Sequence, residues 1–156
     1  MLRAWRITKK KYSAQAFSGD GARMYGSRWS TPGIRIGFAS ETLSLAILEV
    51  LVHLQKTSML SHYVAFTVDF PEELVENLDP DSLPQGWRSS PPSAKTQSVG
   101  PNRLARGSSV LLRVPSVIVA HEHNYLISPA HKDFSRLAIS GPSPLRIDGR
   151  LFEKKK

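Results

Sequence analysis

The segment from Ser40 to Leu54 constrains the fold more than any other part of the chain. Ser40 is a favourable helix N-cap, and Glu41 places a negative charge in the first turn, where the helix dipole favours it. The positions that follow are apolar on almost every side of the predicted helix, so we expect it to be largely buried. Because Glu49 and other polar residues interrupt it, the run is too short and too polar to cross a bilayer.

Short strands are predicted on both sides of this helix. Runs of apolar, β-branched and aromatic residues predict strands over Leu2–Ile7, Met24–Trp29, Ile34–Ala39, His62–Phe70, Ser109–Val114, Val117–His121, Asn124–Ile127 and Leu145–Phe152. Short helices are expected over Pro71–Leu78 and Asn102–Arg106, and the proline-rich residues 79–101 are expected to form a long loop. Strands interspersed with few helices predict one α+β domain over residues 1–156, with mixed or antiparallel sheets.

Charge and composition narrow the class of protein. The 156 residues include 21 lysines and arginines against 13 aspartates and glutamates, which gives a net charge of +8 and favours polyanionic partners. The Lys9–Lys11 and Lys154–Lys156 runs are most simply interpreted as solvated surface. The absence of cysteine excludes disulfides, thiolate metal sites and a cysteine nucleophile. The N-terminus has no apolar core typical of a signal peptide, so we expect a soluble cytoplasmic protein without a membrane partner.

Glu49 is the residue that most needs a chemical explanation. It is the only carboxylate between Thr42 and Thr67, and it lies within an apolar helix. An unpaired buried carboxylate is costly, so Glu49 needs a partner, a cavity or a side that faces solvent. One interpretation is a partly exposed pair with His53, one turn further along the helix. The other is a carboxylate held at the wall of a pocket, facing a cationic or hydrogen-bonding ligand.

Arg28 and Ser116 are less distinctive candidates. Arg28 lies among aromatic residues just before a Thr-Pro-Gly turn, and its planar fork suits a phosphate or pyrophosphate. A structural ion pair, or stacking on Trp29, explains Arg28 as well. Ser116 precedes a β-branched run, where its hydroxyl can donate to a ligand or bond the neighbouring backbone. No G-x-S-x-G motif surrounds Ser116, which argues against a hydrolase nucleophile.

Common metal and nucleotide motifs are missing. His121 and His123 are two residues apart and would lie on one face of a strand, but no third ligand is evident, so no metal site is expected. No P-loop is present, and no G-x-G-x-x-G follows a predicted strand. Without a helix-turn-helix or a zinc finger, the chain is not expected to bind DNA directly.

Segments spread over nearly the whole chain match the pattern of one known family. They are Leu2–Ile7, Gly21–Ser30, Leu45–His53, Leu112–Val119, Asn124–His131 and Arg150–Phe152. In that order they resemble the opening strand, the G-R-W-N segment, the characteristic helix, the V-P-S segment, the N-Y-L-x-N-P-x-H segment and the usual ending of the RES domain family. The family is named for Arg, Glu and Ser residues of its members.

The resemblance implies a fold related to that of ADP-ribosyltransferases and the role of toxin in a toxin–antitoxin pair. Such toxins use NAD+ as a substrate and cleave its nicotinamide–ribose bond, with water or phosphate as the acceptor, and some modify a protein target. The implied partner is a helix-turn-helix, Xre-like antitoxin that covers the active site. No metal is implied.

The resemblance also assigns site residues by position. Arg28 would grip the pyrophosphate, Glu49 would stabilise the oxocarbenium-like ribose, and Ser116 would orient the ribose or Glu49. The same segments imply further contacts with NAD+ from Tyr25, Trp29, Phe38 and Asn124.

The chain departs from the family pattern at a few positions. Phe38 replaces a common Tyr, which keeps the stacking surface and removes a hydroxyl. Pro101 and Arg103 lie where Gly-Asp-x-Trp is frequent, and Ser128 replaces a usual Asn. Two other functions fit the sequence. An ADP-ribosyltransferase that modifies a protein would share the site, and a basic, non-catalytic nucleic-acid-binding module would account for the net charge.

Overall fold

Every strand of the described chain joins one mixed sheet. The computed structural model describes residues 1–152. The strands are β1 (Leu2–Lys9), β2 (Gly37–Ser40), β3 (Tyr63–Phe70), β4 (Val75–Asn77), β5 (Leu111–Pro115), β6 (His123–Ile127) and β7 (Ala138–Pro144). Their spatial order is β4-β5-β6-β2-β1-β3-β7, and all neighbours are antiparallel except the parallel pair β4–β5. A mixed sheet with few helices confirms the predicted α+β class.

Short helices connect these strands. The α-helices are α1 (Asp20–Tyr25), α2 (Leu43–Leu51), α3 (Ala94–Gln97) and α4 (Val99–Ala105). Shorter 3-10 helices lie at Lys10–Gln15, Thr57–His62, Glu72–Leu74, Pro80–Ser82, Lys132–Arg136 and Gly149–Leu151. Within residues 1–152, no helix has the length and the apolar character that a membrane span requires.

The predicted central helix is present as α2, but it begins later than expected and is less buried. Thr42, not Ser40, is the N-cap, and its Oγ1 accepts a hydrogen bond from Leu45 N at 3.0 Å. Leu45 is fully buried, whereas Leu48 is 38% exposed and Val52, just after the helix, is 60% exposed. The expectation of a largely buried helix is therefore wrong, because α2 packs on the sheet with only one of its faces.

Strands with strong local patterns were predicted close to their observed positions. Predicted strands over Leu2–Ile7, His62–Phe70 and Asn124–Ile127 correspond to β1, β3 and β6. The predicted strand over Ser109–Val114 corresponds to β5, which begins two residues later. Of the predicted Ile34–Ala39 strand, only the part from Gly37 onward pairs in the sheet, and it extends to Ser40.

The predicted strand over Met24–Trp29 is wrong. Its first residues complete α1, and Gly26 ends that helix with a φ of 69°, in the left-handed region that favours glycine. A tight turn follows, closed by a backbone bridge between Ser27 and Ser30. The local turn therefore overrides the extended conformation that the aromatic residues indicated.

The predicted strand over Val117–His121 is also wrong, because this segment turns between β5 and β6. Ser116 Oγ accepts hydrogen bonds from Ile118 N at 3.0 Å and Val119 N at 3.1 Å. Ser116 N donates to Glu122 O, also at 3.0 Å. These local side-chain and backbone bonds compete with a β ladder and outweigh the β-branched composition of the segment.

The remaining differences concern the peripheral segments. The edge strand expected at Leu145–Phe152 lies earlier, as β7, and the end of that range forms the 3-10 helix Gly149–Leu151. The helix expected over Pro71–Leu78 is only the 3-10 turn Glu72–Leu74, after which β4 pairs with β5. The expected long loop over 79–101 contains α3, and α4 begins three residues before the predicted Asn102. The Lys154–Lys156 run lies outside the described residues.

Helix α4 packs with its backbone directly against the segment after α1. Gly100 N donates to Trp29 O at 3.0 Å. A Cβ added at Gly100 would lie 2.2 Å from Trp29 O and 3.1 Å from Leu126 Cδ1. Such a distance to a backbone oxygen is far below van der Waals contact, so this helix face requires glycine at position 100.

We expect Gly100→Ala to lower the free energy of unfolding by about 1–3 kcal/mol, because the added methyl forces α4 away from Trp29. Gly21→Ala is a matched control, since nothing lies within 4 Å of its added Cβ and alanine favours the α1 helix. Urea unfolding of both variants measures the difference. An unfolding midpoint for Gly100→Ala equal to that of the unsubstituted protein would contradict the close contact.

Candidate active site

A large cleft opens on the face of the sheet that packs against α2. Its volume is about 1460 Å³, above the range of roughly 300–1,000 Å³ usual for small-molecule sites. Side chains of α2, of β2 and of the segments around residues 25–29 and 90–92 line it. Six of the seven predicted site residues lie on its wall: Tyr25, Arg28, Trp29, Phe38, Glu49 and Asn124.

Glu49 reaches from α2 to the sheet, and two side chains hold one of its oxygens. Its Oε1 accepts a hydrogen bond from Ser116 Oγ at 3.0 Å and another from Asn124 Nδ2 at 2.6 Å. Within residues 1–152, neither Oε2 nor His53 contributes a hydrogen bond to this arrangement, so the pair with His53 is not formed. The carboxylate is therefore fixed through Oε1 at the wall of a pocket, which leaves Oε2 for the cleft.

Ser116 lies behind Glu49 and only 1% of its surface is exposed. Its neighbours Pro115, Val117 and Ile118 line the cleft, whereas Ser116 has its hydroxyl in three hydrogen bonds. The hydroxyl donates its one proton to Glu49 and accepts two backbone N–H groups, which occupies both of its lone pairs. Ser116 thus contacts the carboxylate and closes the local turn at the same time.

Asn124 is oriented by Ser40, which the sequence analysis assigned to the start of a helix. Ser40 Oγ donates to Asn124 Oδ1 at 2.7 Å, which turns the Nδ2 group toward Glu49. The two residues are directly paired across β2 and β6. Ser40 was predicted as a helix N-cap, and its role at the site follows only from the sheet register, which the sequence alone does not define.

Arg28 holds the loop that forms the opposite wall of the cleft. Its Nη1 donates to Trp87 O at 2.8 Å and to Ser89 O at 2.6 Å, and its Nη2 donates to Ser90 Oγ at 3.0 Å. Burial lowers the pKa of Arg28, and the negative charge of Glu49 opposes that effect. Within residues 1–152, neither a carboxylate pair nor stacking on Trp29 accounts for Arg28, because loop oxygens are its hydrogen-bond acceptors.

The aromatic candidates occupy different depths of the cleft. Tyr25 is 80% exposed and stands at its mouth. Trp29 is only 4% exposed and packs on Trp87 with ring centroids 5.5 Å apart, so it mainly builds the wall. Phe38 is half-buried beside the core residues that surround Trp29. A ligand in the cleft therefore meets Tyr25 and Phe38 more fully than Trp29.

Among the sequence departures, Phe38 lies in the cleft and the others lie elsewhere. Arg103 Nη1 pairs with Glu76 Oε1 at 2.8 Å beside a separate, smaller cavity. Ser128 uses its backbone N–H to bond Val110 O at 2.9 Å. Phe38 is thus the departure that can alter ligand contacts directly.

Cationic residues outnumber anionic residues in the described part of the cleft. Three are cationic, namely Arg6, Lys9 and Arg28, against the one carboxylate of Glu49. Sequence reasoning did not single out Arg6, because an arginine in a β-strand carries no motif. Within residues 1–152, no group of three His, Cys, Asp or Glu side chains is arranged to hold a metal ion. His123 instead lies 2.9 Å from Arg113, Nδ1 to Nη2.

Comparison with known proteins identifies close relatives of this chain. The RES domain family model matches residues 3–148. The chain is 37% identical over 153 residues to "Toxin Res" of Photorhabdus laumondii, covering 97% of this chain and 98% of the relative. It is 36% identical over 155 residues to "Prs ADP-ribosylating toxin" of a Sphingobium strain, covering 96% of both chains.

A solved structure has the same fold. The crystal structure of the M. tuberculosis MbcT–MbcA toxin–antitoxin complex contains a chain similar to this one, with a TM-score of 0.75 and 21% identity. The match covers 92% of this chain and 84% of the other. The likeness shows that the two chains share a fold.

We expect Ser116→Ala to lower the free energy of unfolding by about 1–3 kcal/mol, because it removes a buried hydroxyl and leaves the part-buried N–H groups of Ile118 and Val119 without their acceptor. Ser61→Ala is the control, since Ser61 Oγ only donates to Ser58 O on an exposed surface. Thermal and urea unfolding compare the two variants. Equal stability of both variants would contradict the structural role of the Ser116 hydroxyl.

Proposed function

Because the chain belongs to the RES domain family of toxins, we propose that it is an enzyme that consumes NAD+ by cleaving the nicotinamide–ribose bond. The observation that carries the proposal is the Glu49 carboxylate, held through Oε1 at the wall of a large cleft whose other charges are cationic. NAD+ carries anionic phosphates together with a cationic nicotinamide ring. A cation-lined cleft with one fixed carboxylate complements both kinds of charge.

Glu49 is the proposed catalytic residue. Cleavage of the glycosidic bond leaves a ribose with oxocarbenium character, and a fixed negative charge beside it stabilises the developing positive charge. Because Ser116 and Asn124 hold Oε1, the carboxylate needs no reorganisation as the charge develops. Nicotinamide leaves as a neutral molecule from a cationic precursor, so the reaction needs no strong general acid.

Ser116 and Asn124 are proposed as positioning residues. The Ser116 hydroxyl is fully used by Glu49 and by two backbone N–H groups, so orientation of Glu49 is supported over direct contact with the ribose. Asn124 was expected to contact NAD+, and its amide is engaged by Glu49 and Ser40. We therefore propose that both residues act on the substrate through the carboxylate.

Arg28 and the aromatic residues are proposed to shape the substrate site. Arg28 fixes the loop at Trp87–Ser90, which leads into the cleft-lining residues 90–92, and adds a positive charge to the cleft. Phe38 offers an apolar surface within the cleft, and Tyr25 offers an exposed ring at its mouth, suited to stacking on a base. Trp29 supports that wall from behind through Trp87.

The acceptor defines a second candidate function. Water or phosphate would make the enzyme an NAD+ glycohydrolase or phosphorylase, whereas a protein nucleophile would make it an ADP-ribosyltransferase. The similarity to a relative named "Prs ADP-ribosylating toxin" supports the ADP-ribosyltransferase as a second candidate function. The partner proposed for either is an antitoxin, since the structural neighbour was crystallised as a toxin–antitoxin complex. A helix-turn-helix antitoxin covering the open cleft would block substrate entry.

We expect Glu49→Gln to lower the rate of nicotinamide release from NAD+ by at least about 100-fold, because it removes the charge and keeps the size of the side chain. Glu73→Gln is the matched control, since Glu73 is 68% exposed and pairs with Arg136. Release is followed chromatographically with the purified protein, with and without inorganic phosphate. Undiminished release by Glu49→Gln would contradict the catalytic role of Glu49.

The same experiment with NAD+ labelled in its adenylate portion separates the acceptors. Free ADP-ribose indicates water, a phosphorylated ADP-ribose indicates phosphate, and label that stays on denatured protein from a cell lysate indicates protein modification. We expect the soluble products to dominate. Label found only on protein would replace the first candidate function by the second, and tight nucleic-acid binding unaffected by Glu49→Gln, without any NAD+ cleavage, would favour a non-catalytic module.

A further inference from the structure

A second, smaller cavity lies between residues 78–84 and the helices α3 and α4, and we call it the α4 cavity. Its volume is about 310 Å³, at the lower end of the range of roughly 300–1,000 Å³ usual for small-molecule sites. No residue of the described chain lines both this cavity and the cleft. Leu78 and Val99 line the α4 cavity and pack in the same hydrophobic cluster as Trp29, which lines the cleft. The two cavities are therefore distinct sites that share one part of the core.

The charged side chains that line the α4 cavity are all cationic in the described part of the chain. They are Lys95, Arg103 and Arg106. Arg103 Nη1 donates to Glu76 Oε1 at 2.8 Å, so the charge of Arg103 is balanced. Within residues 1–152, neither Lys95 nor Arg106 forms an ion pair with a carboxylate. Two positive charges at this cavity are therefore available to a ligand.

The nearest acidic residues in sequence belong to the 3-10 helix Pro80–Ser82. Asp79 is the N-cap of that helix, and its Oδ1 accepts a hydrogen bond from Asp81 N at 2.9 Å. Neither Asp79 nor Asp81 lines the α4 cavity, whereas the uncharged Ser82 does. The lining itself therefore stays positive although carboxylates lie beside it.

The remaining lining combines polar groups with an apolar surface. Asn102 is exposed on α4, and its side-chain amide can both donate and accept hydrogen bonds. Leu78, Pro84 and Val99 form the apolar part of the wall. Ammonium and guanidinium groups bind phosphate oxygens through charge-assisted hydrogen bonds, and an apolar wall suits an organic group joined to the phosphate. This lining therefore matches a small phosphorylated molecule better than a bare cation or a purely apolar ligand.

The positive lining includes a position at which the chain departs from the RES pattern. Residues 100–103 lie where Gly-Asp-x-Trp is frequent, and they read Gly-Pro-Asn-Arg in this chain. Pro101 thus removes a negative charge from α4, and Arg103 adds a positive one. The charge of this cavity is therefore a feature of this chain's own sequence.

We propose that the α4 cavity is a second binding site, for a small phosphorylated molecule. Lys95 and Arg106 hold the phosphate, and the apolar wall contacts the organic part of the ligand. A free phosphate ion offers the same chemistry to the two cations. The site goes beyond the proposed function and is independent of NAD+ cleavage.

AMP is a suitable probe, because it joins one phosphate to an organic group. Hydrogen–deuterium exchange of the peptide that spans α4, measured at increasing AMP concentration, reports binding at this cavity. We expect the double variant Lys95→Gln/Arg106→Gln to raise the concentration for half-maximal protection at least about tenfold, because it removes both charges that hold the phosphate. Lys10→Gln/Lys132→Gln is the matched control, since both lysines are exposed and line neither cavity, and its value should stay within about twofold.

Asn102→Trp tests the location of the ligand without changing the charge. The indole occupies space inside the α4 cavity, so we expect a loss of AMP protection of at least about tenfold here as well. Thermal unfolding shows whether each variant is folded. If Asn102→Trp does not fold, the double variant decides, because Lys95 and Arg106 are both exposed.

The outcomes also separate this site from the cleft. AMP protection that the double variant and folded Asn102→Trp both weaken supports the site, and equal protection by inorganic phosphate, weakened in the same way, supports it with free phosphate as the ligand. Protection that either folded variant leaves unchanged, or that the control weakens equally, overturns it, as does no protection of the unsubstituted protein. Glu49→Gln should leave the protection unchanged, so a failure of NAD+ cleavage leaves this site standing.

Discussion

The hydrogen bonds of Ser116 and Asn124 to one oxygen of Glu49 join the parts of the structure on which the cleft depends. They connect α2 with the turn after β5 and with β6. The same turn is tied to the start of α2, where the N-cap hydroxyl of Thr42 donates to Glu122 Oε1 at 2.6 Å. The helix is therefore attached at its N-cap to the turn before β6, and in its last turn to that turn and to β6. A carboxylate supported in this way changes position little, which suits a group that stabilises a developing charge.

The cationic residues of the cleft are held in a different way from Glu49. Arg28 and Arg6 are both fixed by oxygens of backbone or hydroxyl groups, and neither forms an ion pair with a carboxylate in the described residues. Their orientation is thus defined while their charges stay available to a ligand. The surface arginines Arg3 and Arg136 show the opposite arrangement, since each pairs with an acidic side chain. The two cleft arginines therefore keep a positive charge that the acidic partners of Arg3 and Arg136 neutralise at the surface.

The sequence was informative where a pattern is local. The alternating β-branched and aromatic residues of β3 and the apolar run of α2 predicted those elements. The isolation of Glu49 in that run indicated a carboxylate that needs a partner or a pocket, and the structure gives it both. Val117–His121 was misassigned because the Ser116 hydroxyl binds two backbone N–H groups, which no composition reveals. Arg6 was missed for a related reason. Arg6 lies on the cleft wall, whereas Arg3 pairs with Asp69 at the exposed surface, and composition does not distinguish the two positions.

The three residues that the sequence resemblance assigns as the Arg, Glu and Ser of the family pattern have different physical surroundings in this chain. Glu49 lines the cleft, and within residues 1–152 only its Oε1 accepts hydrogen bonds, so a substitution that preserves its shape tests charge alone. Ser116 is buried and completes a turn, and Arg28 anchors a loop, so loss of either changes the geometry of the wall as well as any contact with substrate. Loss of activity after their substitution is therefore not evidence of contact with NAD+. Contact has to be judged from binding, measured beside stability.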